Sequence, residues 1–160
     1  MIYVFDIDGV VADPSHRLHH IQGDEKDWNA FYEACDQDPP QRHGFELCLD
    51  LVLRRDSIQA DEVLFLTGRP EKVRAKTEAW LTAHELLWEP ACLFMRPDDD
   101  HSPATEFKPS MIRSMSEFVQ EDGFLMPEEV EFTFIEDNPK MIQRWRKLGH
   151  ICLDPGTWKE

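Results

Sequence analysis

Ile2-Tyr3-Val4-Phe5-Asp6-Ile7-Asp8-Gly9 opens the chain, and its reading decides the fold. Four β-prone apolar residues in unbroken succession describe a strand buried on both faces, the kind a parallel sheet requires. Two carboxylates follow at alternate positions, so an extended backbone sets both on one side at the strand's carboxyl end. Working outward, the same pattern returns four times. Val63-Leu64-Phe65-Leu66 ends at Thr67-Gly68-Arg69-Pro70, and Cys92-Leu93-Phe94-Met95 ends at Arg96-Pro97. Val130 to Ile135 ends at Glu136-Asp137-Asn138-Pro139, and a short run, Ile151-Cys152-Leu153, comes last.

Between these runs the apolar period becomes helical. Pro70 to Leu87 carries Val73, Thr77, Trp80, Leu81 and His84 at three- and four-residue spacing, and Phe107 to Val119 carries Met111, Met115 and Phe118. Asn138-Pro139 supplies an N-cap and first turn for a helix to Leu148, closed by Gly149. This alternation predicts an α/β fold, a Rossmann-like parallel sheet with helices on both faces. Residues 12 to about 60 break the rhythm, with helical patterns at Asp27 to Cys35 and Gly44 to Arg55 but no strand. They predict a small helical cap inserted after the first strand, within one domain spanning 1–160.

The composition narrows the function. The chain has 160 residues, 41% of them hydrophobic, with 17 Lys+Arg against 32 Asp+Glu and a formal charge of −15. That is enough for one domain with a core of its own. A grip on long duplex nucleic acid needs many cations on phosphates, and this charge excludes it. No apolar run approaches the roughly 20 residues of a membrane helix, and Asp6 and Asp8 interrupt the only candidate for a secretory signal. Cys35, Cys48, Cys92 and Cys152 have no paired spacing and read as reduced, buried thiols of a cytoplasmic protein.

In an open parallel sheet, ligands bind beyond the carboxyl ends of the strands. Asp6, Asp8, Thr67, Arg69, Arg96, Glu136 and Asp137 all follow strands and should converge there, with Lys108 in reach from the helix after the third. Any one of these acids alone is an ordinary turn former. Together, Asp6, Asp8 and Asp137 repel one another unless a cation lies among them, and a hard ion such as Mg²⁺ suits carboxylates and water. Gly9 would let the backbone approach a bound phosphoryl group.

Asp6-Ile7-Asp8-Gly9, Thr67-Gly68-Arg69, Lys108 and Glu136-Asp137 resemble the four ordered motifs of the haloacid dehalogenase (HAD) superfamily of phosphohydrolases. Ser15-His16-Arg17-Leu18-His19, Leu93-Phe94-Met95-Arg96, Trp145-Arg146 and the Cys152 to Trp158 tail are similar to the 3′-phosphatase domain of bacteriophage polynucleotide kinases. No phosphate-binding loop of the kinase half occurs in the sequence. The resemblance implies a HAD-like fold and a Mg²⁺-dependent phosphomonoesterase. Asp6 would be the nucleophile, forming an aspartyl-phosphate, and Asp8 the general acid and then base. Asp6, the Asp8 backbone carbonyl and Asp137 would hold the metal, with Glu136 acting through water. Gly9, Thr67, Gly68 and Lys108 would bind the phosphoryl group, and Arg17 and Arg69 the substrate. The implied substrate is a 3′-phosphate on a nucleic-acid end or nucleotide.

The chain departs from the family at Val10, at Ser102, Ala104 and Thr105, and at Asn138, which weakens the transfer of substrate more than that of reaction. A nucleoside monophosphatase of the 5′-nucleotidase type, or another small-molecule phosphatase, is the rival enzyme. A phospho-receiver would need Asp50 or Asp56 as acceptor, and both fall in or after a helical pattern; a silent binding module would not need Asp8. His16, His19 and His20 line an entrance more plausibly than a metal. Trp28 reads as cap packing or as a stacking platform.

Overall fold

A computed structural model of the chain describes residues 1–55, 61–120 and 130–158. Its centre is one sheet of five strands: β1 (Ile2–Phe5), β2 (Glu62–Pro70), β3 (Leu93–Arg96), β4 (Phe132–Ile135) and β5 (Ile151–Leu153). Every pairing is parallel and the order is β3-β2-β1-β4-β5. The chain moves outward from β1 through β2 to β3, then returns past β1 to β4. That reversal makes the crevice between β1 and β4 the switch point of the sheet, where an open α/β fold binds its ligand.

Among the described residues, six α-helices accompany the strands: α1 (Trp28–Glu33), α2 (Arg42–Leu53), α3 (Arg74–Ala83), α4 (Ala104–Ser110), α5 (Ile112–Val119) and α6 (Pro139–Lys147). Right-handed crossovers place α2 and α3 on one face of the sheet and α4, α5 and α6 on the other. α4 packs against α6 across the second face, as that rule requires. The architecture is therefore the Rossmann-like α/β sheet that the sequence predicts. Phe5, Leu64, Phe65, Phe134 and Trp145 are buried in its core, and Phe134 and Trp145 stack at 3.7 Å with their planes 7° apart. Residues 12–55 contain α1, α2 and short 3-10 turns; 56–60, at the end of the expected cap, lie outside the described residues, and so does Asp56.

Beyond shifts of a residue or two at element ends, three elements depart from the sequence reading. β2 runs through to Pro70 instead of ending at Leu66, because its register on β3 shifts between Leu66 and Pro70. Such an irregularity re-aims the backbone, here at Thr67-Gly68-Arg69. The helix expected over Pro70 to Leu87 is a 3-10 turn at Glu71–Val73 followed by α3, which stops at Ala83. Glu85 takes φ +61°, its N–H reaches the Thr82 carbonyl at 3.0 Å, and the Leu86 N–H reaches Leu81 at 2.9 Å. This is a Schellman cap with glutamate in the glycine position. The helix expected over Phe107 to Val119 divides at Met111, after Pro109, whose missing N–H interrupts the ladder.

Candidate active site

β1 delivers Asp6 to the switch point and β4 delivers Glu136 and Asp137 beside it. The Asp6 N–H donates to the Ile135 carbonyl at 3.0 Å, so the two strand ends remain locked where the acids emerge. Carboxylate oxygens of Asp6, Glu136 and Asp137 lie within 4.8 Å of one another, and this trio is the metal-type cluster found among the described residues. α4 adds Lys108 from below, almost fully buried. Its Nζ donates to Asp6 Oδ2 at 2.8 Å and to Glu136 Oε2 at 2.6 Å.

One ammonium does not balance three carboxylates, and the titration of the site reflects this. Burial pushes Asp6 up to about 7, against the attraction of Lys108 and with the repulsion of Glu136 behind it. Burial and the charge of Asp6 push Asp137 up to about 6, although its tip is open to solvent. Burial pulls Lys108 down, but Asp6 and Glu136 outweigh it and leave the ammonium firmly protonated. Excess negative charge, hard oxygen donors and an open rim fit a divalent cation such as Mg²⁺.

Gly9 turns sharply beside this cluster at φ +83°. A Cβ there would lie 2.0 Å from Asp137 Oδ2, so the glycine makes room for a carboxylate of the site itself. The sequence reading gave that room to a phosphoryl group. Asn138 caps α6, its side chain accepting from Lys140 and Met141, which fixes the backbone just after Asp137.

Asp8 occupies a second, paired arrangement. Arg17 Nη2 donates to its Oδ1 at 2.6 Å, and Arg69 donates to the same oxygen through Nε at 3.0 Å and Nη2 at 2.6 Å. Burial opposes the charge on Asp8, yet Arg69 and Arg17 together outweigh it and hold the carboxyl below its usual range. Both guanidinia are fully buried and neither lines the cavity; they stand behind Asp8. Asp38 completes the arrangement. Also buried, it accepts from Arg17 Nε at 2.7 Å, Arg17 Nη2 at 2.6 Å, Arg69 Nη2 at 3.0 Å and His16 Nε2 at 2.7 Å. Two carboxylates and two guanidinia thus form a neutral buried square, closed by the Arg17 guanidinium 4.2 Å over the Phe31 ring.

Sequence reasoning missed Asp38. Its signal is faint: an acid immediately before Pro39-Pro40, in a segment with no strand of its own. Arg96, which the sequence leaves beside the third strand, lies on the cavity wall with its guanidinium 4.5 Å over Phe107, donating to the Ser102 carbonyl at 2.7 Å. Thr67 is buried, lines the cavity and accepts from the Arg69 N–H at 3.2 Å. Gly68 carries the carbonyl that the Tyr32 hydroxyl and Arg96 Nε reach at 3.5 and 3.3 Å. Asp6, Asp8, Thr67, Gly68, Lys108, Glu136 and Asp137 surround one open cavity of about 700 Å³. Of the histidine run, His16 is spent on Asp38, and His19 and His20 lie ring to ring at 3.9 Å.

No family model and no curated protein sequence matches the chain. Among solved structures, it is similar to a chain of the Pnkp1/Rnl/Hen1 complex, with a TM-score of 0.64 and 20% identity over 96% of this chain. A chain of the Pnkp1/Rnl/Hen1 RNA repair complex gives a TM-score of 0.64 and 19% identity over 96% of this chain. The likeness is one of fold. The chain spans less than half the length of these two, 45% and 41% respectively. The HAD domain of effector protein Lem4 from Legionella pneumophila, as an inactive mutant, gives a TM-score of 0.49 and 9% identity, with 99% of this chain and 87% of that one covered.

Proposed function

We propose that the chain is a Mg²⁺-dependent phosphomonoesterase that works through an aspartyl-phosphate on Asp6 and removes a 3′-phosphate from a nucleic-acid end or nucleotide. The observation that carries this reading is the convergence of Asp6, Lys108, Glu136 and Asp137 on one open cavity, with Asp8 clamped beside them. The residues that would hold the ion are Asp6, Asp137 and the Asp8 backbone carbonyl, and Glu136 is tied to Lys108 behind them. Bound there, Mg²⁺ would neutralise phosphoryl oxygens as they gain charge.

An Asp6 oxygen attacks phosphorus in line, and the bond from phosphorus to the leaving alcohol breaks. Lys108 stays beside Asp6 and offsets charge on the transferring group. Asp8 supplies the proton that the leaving alkoxide needs, then takes one from the water that hydrolyses the acyl-phosphate. All the arginine bonds to Asp8 land on Oδ1, so Oδ2 is the oxygen through which that proton passes. The clamp favours the ionised form, which suits the second step. The proton Asp8 takes from water there is the one it gives to the leaving alkoxide of the next substrate, and the arginines fix the direction of the carboxyl group in both.

Similarity of fold to a chain of an RNA repair complex supports a nucleic-acid end as substrate. The charge of −15 supports the narrower rival, a free mononucleotide. With either substrate, we propose that the segment from 12 to about 60, described over 12–55, serves as a cap over it within one catalytic domain. The test is a panel of 3′-phosphorylated oligonucleotide, nucleoside 3′- and 5′-monophosphates and sugar phosphates, with Mg²⁺ and with a chelator. Release of phosphate from the oligonucleotide, abolished by the chelator, is expected. Turnover of sugar phosphates alone would refute the substrate, and full turnover under chelation would refute the metal.

A further inference from the structure

A second cavity, of about 560 Å³, adjoins the carboxylate cavity and shares Tyr32 and Arg96 with it. The volume is within the roughly 300–1,000 Å³ of small-molecule sites. It opens between α1 and the segments that follow β2 and β3, and the phosphomonoesterase reading leaves it without a role.

Its aromatic wall is built from one face of α1. Asp27 caps that helix, accepting from the Ala30 N–H at 2.9 Å, and Trp28 and Tyr32 follow at i and i+4, side by side. Their rings lie 5.9 Å apart with planes 25° from parallel. Phe31, buried beneath, meets the Trp28 ring edge-on at 5.8 Å and 87°. Trp28 is thereby held in place while 47% of its surface stays open to water. Leaving that much apolar ring uncovered sacrifices burial energy, an arrangement that suits a ligand surface more than a packing residue.

The polar wall faces it with cations. Lys72 is positioned by a hydrogen bond from its Nζ to Asn29 Oδ1, and Arg96 by its contacts with Phe107 and Ser102. The two acids of this wall are engaged within the chain: Asp98 accepts from the Lys72 N–H at 2.8 Å, and Asp100 from Ser102 N–H and hydroxyl at 2.8 and 2.5 Å. Lys26 Nζ lies 6.0 Å from the Trp28 ring centroid at the rim. An aromatic platform edged by cations, joined to a site for a phosphoryl group, has the chemistry that holds an unpaired nucleobase.

We propose that this cavity is the subsite for the nucleobase of the residue that carries the scissile phosphate, with the base stacked on Trp28 and Tyr32 at the junction of the two cavities. The proposal rests on the phosphomonoesterase reading and adds to it a demand for a base. Stacking of one base is worth about 1–3 kcal/mol, which converts to a preference of about 5- to 150-fold.

Two measurements separate the subsite from the reaction. In the first, nucleoside 3′-monophosphate and ribose phosphate are titrated into wild-type protein without metal, following the Trp28 indole resonance assigned by its loss in Trp28→Phe. The nucleotide is expected to shift it and ribose phosphate is not. In the second, kcat/KM is compared between oligonucleotides whose 3′-phosphorylated end does or does not carry a base. The wild type is expected to prefer the base by about 5- to 150-fold, Trp28→Phe to keep most of that ratio, and Trp28→Ala to bring it close to one. A ratio unaltered in Trp28→Ala, or an indole shift equal for both ligands, overturns the subsite. If Trp28→Ala does not fold, the indole shift and the Trp28→Phe ratio decide. A base-dependent shift in a protein that hydrolyses no phosphate ester keeps the subsite and refutes the phosphatase; turnover with neither shift nor preference does the reverse.

Discussion

Replacing Asp38 by asparagine tests the buried square directly. In the native chain the charges of Arg17 and Arg69 are balanced by Asp8 and Asp38, and all but Asp8 are sealed from water. Asparagine keeps the shape but removes one negative charge. It also replaces one of the two oxygens that accept from the guanidinia with an NH2 group, which donates and cannot accept. One positive charge is then left uncompensated in the interior, a change that costs about 3–5 kcal/mol where buried pairs have been broken. For a domain of this size each kcal/mol moves the unfolding midpoint by about 2–4 °C, so a fall of roughly 6–20 °C is expected. Calorimetry or near-ultraviolet circular dichroism measures it. Pairing the change with Arg17→Met, which removes the stranded charge, should recover part of the loss. A midpoint within about 2 °C of wild type, or strictly additive losses in the double variant, would refute the reasoning.

Three further expectations concern separate parts of the molecule. Gly9→Ala forces a side chain into φ +83° and against Asp137, so stability should drop by about 1–2 kcal/mol and Mg²⁺ binding by calorimetry should weaken; unchanged metal affinity would show that Asp137 moves freely. Glu85→Gly relieves the left-handed residue of the Schellman cap and should raise the midpoint by a few degrees, equivalent to about 1 kcal/mol; a lowered midpoint would argue against the strain. Burial against Phe134 and Trp145 holds His150 below its ordinary 6.5, so the unfolded chain takes up this proton first as pH falls. Its contribution is intact above about pH 6.5 and is lost below it, and a His150→Phe variant should lose less stability than wild type between pH 7 and 5 in chemical denaturation. Equal losses would show that His150 is not the group involved.

The sheet is legible in the sequence because its strands carry continuous apolar runs, most deeply buried in β2 and β4. Continuous runs such as Ile2–Phe5 and Phe132–Ile135 can serve little else, and their polar ends mark the carboxyl edge where the chain crosses over. Asn138-Pro139 likewise announces α6 by local chemistry alone. Features that depend on tertiary contact are not legible. The extension of β2 to Pro70 is set by its register on β3, and α3 ends at a glutamate that occupies a conformation normally left to glycine. The site shows the same division. Asp6, Lys108, Glu136 and Asp137 stand out as polar residues at strand ends or on the following helix, and the fold brings them together. Arg17 and Arg69 stand out equally, but only the packing reveals Asp38 between them. That contact joins residues 21 and 31 positions apart, and no periodic pattern in the sequence encodes it.

The most direct test of the account is a rapid acid quench of the protein with Mg²⁺ and a 3′-phosphorylated oligonucleotide bearing a labelled phosphate, followed by peptide mapping. The label is expected on the peptide containing Asp6, and Asp6→Asn is expected to abolish both the label and turnover. Turnover that persists in Asp6→Asn, or label that maps to any other residue, would contradict it.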